Sequence, residues 1–180
     1  MEISVVKFFN QWGRGSVDAA TDWLSRVRYL FVFWVGIAFL VLLIDSKNRS
    51  MLFVSFLVAT VAHFLISEGL IKRGLTRIWG VRQRPYVAYP QDIMPIGRRF
   101  SDSSFPSSHL SSTLAMLTVI GYFYPMTWAV SVVFVLLMSF ARLHNGMHYV
   151  SDIVVGIVLG IAYGRLGIYV AQLFLLTYAN

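Results

Sequence analysis

The stretch Leu110–Ala141, LSSTLAMLTVIGYFYPMTWAVSVVFVLLMSFA, contains no charged side chain, and Pro125 stands near its middle between Tyr124 and Met126. A proline inside a helix removes a hydrogen bond and clashes with the preceding turn, so the stretch divides there. It reads as two antiparallel spans, 110–124 and 126–141, with Tyr122, Tyr124 and Trp128 at the boundary between lipid and water. Spans joined this closely predict an all-α fold, a polytopic transmembrane helical bundle.

Working outward, Tyr29–Ile44 is uncharged between Arg26, Arg28 and Asp45, and Met51–Ser67 reads as a second span. A further segment runs from Ile153 toward Thr177, interrupted by Arg165, which is read as snorkelling to the far interface, with a buried ion pair as the alternative. These uncharged cores are shorter than the roughly 20 residues a bilayer needs, so polar helix ends must extend them. The expected bundle has about five to six helices. Gly156, Gly160 and Gly164 repeat every four residues, a stripe that lets helices approach closely and is read as structural. Residues 1–24 mix Ile3, Val6, Phe9, Trp12 and Trp23 with Lys7, Arg14, Asp18 and Asp22, and read as an interfacial amphipathic segment. No small-residue cleavage pattern follows Ile44, which argues against a cleaved signal peptide. A single integral-membrane domain over 1–180 is expected, with the bundle at 25–180.

Composition agrees with this reading, since 57% of the 180 residues are apolar and 13% charged. The net charge of +7 does not point to nucleic acid, because seven of the 15 basic residues fall between Lys72 and Arg99 with no nucleic-acid-binding pattern beside them. A local anion site or anionic lipid headgroups explain them better. The chain has no cysteine, which excludes disulfides, thiolate nucleophiles and cysteine metal sites.

Three polar islands interrupt the apolar background: Arg77–Pro85, Phe105–His109 and Arg142–Asp152. If the five segments all cross, the connections at 72–105 and 142–151 emerge on one face and the islands can meet there. Phosphoryl transfer needs cations on the equatorial oxygens, and Arg77, Arg84 and Arg142 supply planar guanidinia for that purpose, with Pro85 stiffening the chain beyond Arg84. Solvated or headgroup-binding arginines are the plain alternative. Ser107 and Ser108 open a helix whose free N–H groups suit an anion, although either hydroxyl can serve as a cap. His109 in the first turn is placed to protonate a leaving oxygen. His148 and Asp152 are four apart, so the carboxylate can orient the imidazole as a nucleophile; a capping aspartate beside a partnered histidine is the bland reading. His144 shares that spacing, which keeps a metal site open as a rival, while the surrounding arginines disfavour a divalent ion. His63, in the second span, is read as a packing residue.

These islands resemble, in order and spacing, the three signatures of the type 2 phosphatidic acid phosphatase family. Arg77-x6-Arg84-Pro85 meets K-x6-R-P, Pro106-Ser107-Ser108-His109 meets P-S-G-H, and Ala141-Arg142-x5-His148-x3-Asp152 meets S-R-x5-H-x3-D. Three positions depart from the pattern: Arg77 for lysine, with Lys72 or Arg73 as alternative contributors if the loop is rearranged, Ser108 for glycine and Ala141 for serine. The resemblance implies a helical bundle, a metal-independent lipid phosphatase without a cofactor, and a phosphohistidine on His148 with His109 as acid and Asp152 as orienter. It also implies an active site on the extracytoplasmic side of a bacterial inner membrane, whereas a count of lysine and arginine beside the spans places the islands inside, a count that anion-binding arginines inflate. The compact chain is most similar to undecaprenyl pyrophosphate phosphatases of that family, with phosphatidylglycerophosphate, phosphatidic acid and lipid A 1-phosphate as alternative substrates. A catalytically silent protein that binds anionic lipid is the rival from another class. Oligomeric state is not legible.

Overall fold

In the computed structural model, which describes residues 2–178, the chain is helical with no strand among the described residues. Two short helices, α1 (Glu2–Gln11) and α2 (Asp18–Leu24), precede α3 (Val27–Ile44) and α4 (Arg49–Ala62). α4 continues through a π-helical stretch, His63–Leu75, into α5 (Thr76–Trp79). A long connection carrying α6 (Pro85–Ala88) leads to α7 (Ser108–Phe123), a 3₁₀ turn at Pro125–Thr127, α8 (Trp128–His144) and α9 (Val150–Tyr178). The break at Pro125 falls where the sequence placed it.

Four helical segments, Val27–Ile44, Arg49–Trp79, Pro125–His144 and Val150–Leu175, are long and apolar enough to cross a bilayer. α7 has 16 residues, about 24 Å at 1.5 Å per residue, and forms the centre of the bundle. It packs most extensively on α9 and also touches α8, α4 and α3. Almost every side chain from His109 to Gly121 is buried. The outer helices instead turn Phe31, Phe39, Val130, Leu137, Val158 and Tyr169 outward, as a lipid-facing surface requires. Arg165 is also on that outer face, in line with snorkelling.

The ends of the helices confirm how the spans alternate. At one end Tyr124 Oη, just past α7, donates to Asp45 Oδ2 beyond α3 at 2.6 Å. Asn48 and then Tyr124 hold the Asp45 carboxyl at about 2, while burial and the Asp45 charge push the Tyr124 phenol to about 12. At the other end His109 Nε2 donates to the Ser25 carbonyl at 2.8 Å, and Asn145 Nδ2 donates to Ser25 Oγ at 3.0 Å. The starts of α3, α7 and α9 and the end of α8 therefore share one face.

The glycine stripe is structural, as expected. A Cβ at Gly160 would lie 2.5 Å from Leu114 Cβ and 2.6 Å from the Ser111 carbonyl, and one at Gly156 would lie 2.8 Å from the Ser107 carbonyl. α9 thus holds the start of α7, with its serines and histidine, at a fixed short distance. Gly167 extends the same close approach to the Ser55 carbonyl of α4.

Two sequence expectations need correction. The second span does not stop at Ser67: no proline intervenes before Gly80, whose φ of 82° ends the helix, so Lys72 and Arg77 stand on a helix and not in a loop. The N-terminal segment lies at the island end, yet it is bound into the protein as well as resting at the surface. Asn10 Nδ2 donates to the carbonyls of His144 (2.6 Å) and Met94 (2.9 Å), and Glu2 Oε1 accepts from the Ser151 amide at 2.7 Å.

Candidate active site

His148 follows α8 in the short connection to α9, where Gly146 at a φ of 67° turns the chain. Its Nδ1 lies 2.7 Å from the Ser104 carbonyl and 3.6 Å from Asp152 Oδ2. A carbonyl can only accept, so Nδ1 carries the proton and Nε2 keeps its lone pair. Burial, followed by the charges of Arg142, Arg84 and Lys72, lowers the His148 pKa well below the ordinary histidine value and keeps the ring neutral. This is the state a nitrogen nucleophile needs.

Asp152 is less direct in its support than the spacing implied. The Ser104 carbonyl, not the carboxylate, takes the short hydrogen bond from His148. Asp152 Oδ2 accepts from the Tyr149 amide at 2.9 Å, and Oδ1 accepts from Arg82 Nη1 at 2.6 Å. Asp152 therefore caps the start of α9 and fixes the turn that presents His148, combining the two readings the sequence left open. Arg82, which the sequence analysis did not single out, is held in turn by Glu2 at 3.0 Å and lies over the Tyr149 ring.

The cations fall into two groups. Arg84 and Arg142 are both buried, and their Nε atoms have no hydrogen-bond partner. Pro85 begins α6 immediately beyond Arg84. Arg84 donates to the Met147 carbonyl at 3.2 Å and to Asp102 Oδ1 at 2.6 Å. Arg142 has no carboxylate partner among the described residues. Arg77, in contrast, is exposed on α5 and is not brought to the cluster. Lys72 takes that place: buried, it reaches Asp102 Oδ2 at 3.1 Å, Glu68 Oε1 at 3.3 Å and the Ser108 hydroxyl. The Glu68/Lys72 spacing of four was the available signal for this pair.

Asp102 thus bridges Lys72 and Arg84 with its two oxygens. Burial alone would raise its pKa, but Lys72 and Arg84 outweigh that and hold the carboxyl below its usual value.

The Ser107–His109 turn closes the site from α7. Ser107 precedes the helix, its amide donates to the Asp152 carbonyl at 3.0 Å, and its buried hydroxyl is unpaired. Ser108 bonds Glu68 and Lys72 through its side chain, so it is a structural link as well as the first helical residue. His109 donates from Nε2 to Ser25, so in the neutral ring Nδ1 keeps its lone pair and is the position that can take up a proton and pass it on. Buried orphan donors on Arg84, Arg142 and Ser107 suit a ligand with several oxygens. A cleft of about 440 Å³ opens on Arg142 and is lined also by Arg26, Arg28, Arg98, Asn145 and Met147.

His144 does not join this group. Its Nδ1 donates to the Phe9 carbonyl at 2.8 Å and its Nε2 faces Asp18 at 2.9 Å, so it anchors the N-terminal segment. His63 bonds Ser111 at 3.1 Å within the bundle, consistent with packing.

A sequence profile of the PAP2 superfamily matches residues 52–175. No curated protein sequence matches the chain. Among solved structures, the crystal structure of Aquifex aeolicus LpxE aligns with a TM-score of 0.69 at 16% identity, covering 93% of this chain and 94% of that one. The first transmembrane PAP2 type phosphatidylglycerolphosphate phosphatase from Bacillus subtilis aligns with a TM-score of 0.66 at 18% identity, covering 98% of this chain and 85% of that one. At such identities the likeness is one of fold.

Proposed function

The chain belongs to the PAP2 superfamily, and from that premise we propose that it is a membrane lipid phosphatase that hydrolyses a terminal phosphate through a phosphohistidine on His148. The observation that carries this is the hydrogen bond from His148 Nδ1 to the Ser104 carbonyl, which leaves Nε2 free beside buried cations.

In the reaction, Arg84, Arg142 and Lys72 bind the phosphoryl oxygens as charge spreads over them. His148 Nε2 forms a bond to phosphorus while the bond from phosphorus to the lipid oxygen breaks. His109, carrying a second proton on Nδ1 when the anionic substrate is bound, gives that proton to the departing oxygen and becomes neutral. Water then loses a proton to His109 and attacks phosphorus, the phosphorus–nitrogen bond breaks, and inorganic phosphate leaves with His148 restored. Asp152 holds the turn bearing His148 throughout, and Ser107 and Ser108 shape the mouth of the phosphate site.

The substrate that the family resemblance implies is undecaprenyl pyrophosphate, with the site on the extracytoplasmic side of a bacterial inner membrane. Phosphate release by detergent-purified protein, with chelator present, tests this on undecaprenyl pyrophosphate, phosphatidylglycerophosphate, phosphatidic acid and lipid A. Release should fall by about 10³-fold or more in His148→Ala and in His109→Ala. Normal release from folded His148→Ala protein overturns the proposal.

A further inference from the structure

Three arginines at the mouth of the cleft have no part in the reaction above. Arg26 and Arg28 stand at the start of α3, Arg98 comes from the connection between α6 and α7, and all three line the same cleft as Arg142. Their environments differ. Arg26 is neutralised by Asp22, which accepts from its Nε at 3.0 Å and its Nη2 at 2.6 Å. Arg28 and Arg98 have no carboxylate partner among the described residues. Each lies near an aromatic ring, Arg28 at 4.8 Å from the Tyr29 centroid and Arg98 at 5.6 Å from that of Phe100. A ring face restrains a guanidinium without cancelling its charge.

The wall between them is also closely fitted. Gly97 adopts a φ of 77°, and a Cβ there would collide with the Asp22 carboxylate. That contact brings the loop carrying Arg98 against α2, directly before Arg26 and Arg28. The cleft volume of about 440 Å³ falls in the range of small-ligand sites, roughly 300–1,000 Å³.

We infer that Arg28 and Arg98 form a second anion subsite, which holds a second phosphoryl group of the same substrate while Arg84, Arg142 and Lys72 hold the one transferred. This deepens the proposed function and rests on the cleft being the mouth of the phosphatase site. The inner cations alone suffice for a monophosphate. A further pair of uncompensated guanidinia along the same cleft suits a substrate that presents two phosphoryl groups together, a diphosphate above all. Planar guanidinia bind such groups in forked pairs of hydrogen bonds.

The test compares inorganic pyrophosphate with inorganic phosphate as ligands of the full chain in detergent free of anionic lipid, by thermal stabilisation. Wild-type protein should bind pyrophosphate about tenfold more tightly than phosphate. Arg28→Gln and Arg98→Ala should each lower that ratio severalfold, and together abolish it, while Arg49→Ala on the opposite face retains it. Both target side chains are exposed, so the variants should fold. Equal binding of the two ligands by wild-type protein, or a ratio unmoved in the double variant, overturns the inference and leaves the arginines to bulk lipid headgroups. Binding is read without turnover, so failure of the phosphatase reading shows separately, as absent hydrolysis of both a lipid monophosphate and the diphosphate of the same tail. Where hydrolysis is present, the double variant should raise KM for the diphosphate more than for the monophosphate.

Discussion

Asp102 places one carboxylate oxygen on Lys72 and the other on Arg84, the arrangement a phosphate would adopt with the same two cations. It is half exposed while both partners are buried, so it can withdraw when a stronger anion arrives. Asp102→Asn should tighten inhibition by vanadate or inorganic phosphate about three- to tenfold, a modest gain because the displaced ion pairs are partly solvated. The same change should lower the melting temperature, and added phosphate should restore it, since two buried cations lose their counter-ion. Weaker inhibition would mean that Asp102 only positions Lys72 and Arg84. His148 gives a second residue-level expectation. Its lowered pKa places the acid limb of kcat/KM below the ordinary histidine value of about 6.5. The sign follows from proton linkage: the unfolded chain takes up a proton near that value while the folded site does not, so stability falls as pH drops through it. An acid limb at or above the ordinary value would contradict a neutral nucleophile held by burial and three cations.

Helix α9 sets the position of α7 through glycines and not through ion pairs. Gly160→Ala should destabilise the fold by about 1–3 kcal/mol, because the added methyl meets Leu114 Cβ and the Ser111 backbone across a fixed contact. Gly36→Ala on α3 is the matched comparison: nothing lies within 4 Å of its Cβ, and alanine should be neutral or stabilising by up to about 1 kcal/mol. Thermal unfolding in one detergent would read both, and equal effects would dismiss the close-packing account. This stripe was legible because its period matches one helix face, and the break at Pro125 was legible because proline is a local signal. The extent of α4 was not. Continuation through His63–Leu75 by π-helical bonding leaves no composition cue, and it brings Lys72 to the polar cluster in place of Arg77. The places of Glu2, Arg82 and Asp102 were equally hidden, since each depends on contacts between distant segments. That His109, His148, Arg84 and Arg142, all buried, lie at one end of the bundle followed from the even number of spans between their islands.

At the scale of the whole molecule, the number of crossings decides whether the chemistry can exist. The islands meet only if α7 and α8, which separate them, both traverse the bilayer, and the Asp45–Tyr124 end lies opposite the Ser25–His109–Asn145 end. One crossing more or fewer between the islands would strand His109 and His148 on different sides. The absence of native cysteine allows a direct test. Lys47 and Gln91 are both exposed, Lys47 in the turn between α3 and α4 and Gln91 in the connection that leads to Asp102. Lys47→Cys and Gln91→Cys, probed separately with a membrane-impermeant maleimide on intact cells, should label from opposite sides. On the orientation proposed above, Gln91→Cys reacts from outside, and Lys47→Cys reacts only after permeabilisation. Reversed reactivity would preserve the bundle and move the active site to the cytoplasmic face. Reaction of both from one side would mean that α4 does not cross, and would break the five-crossing arrangement.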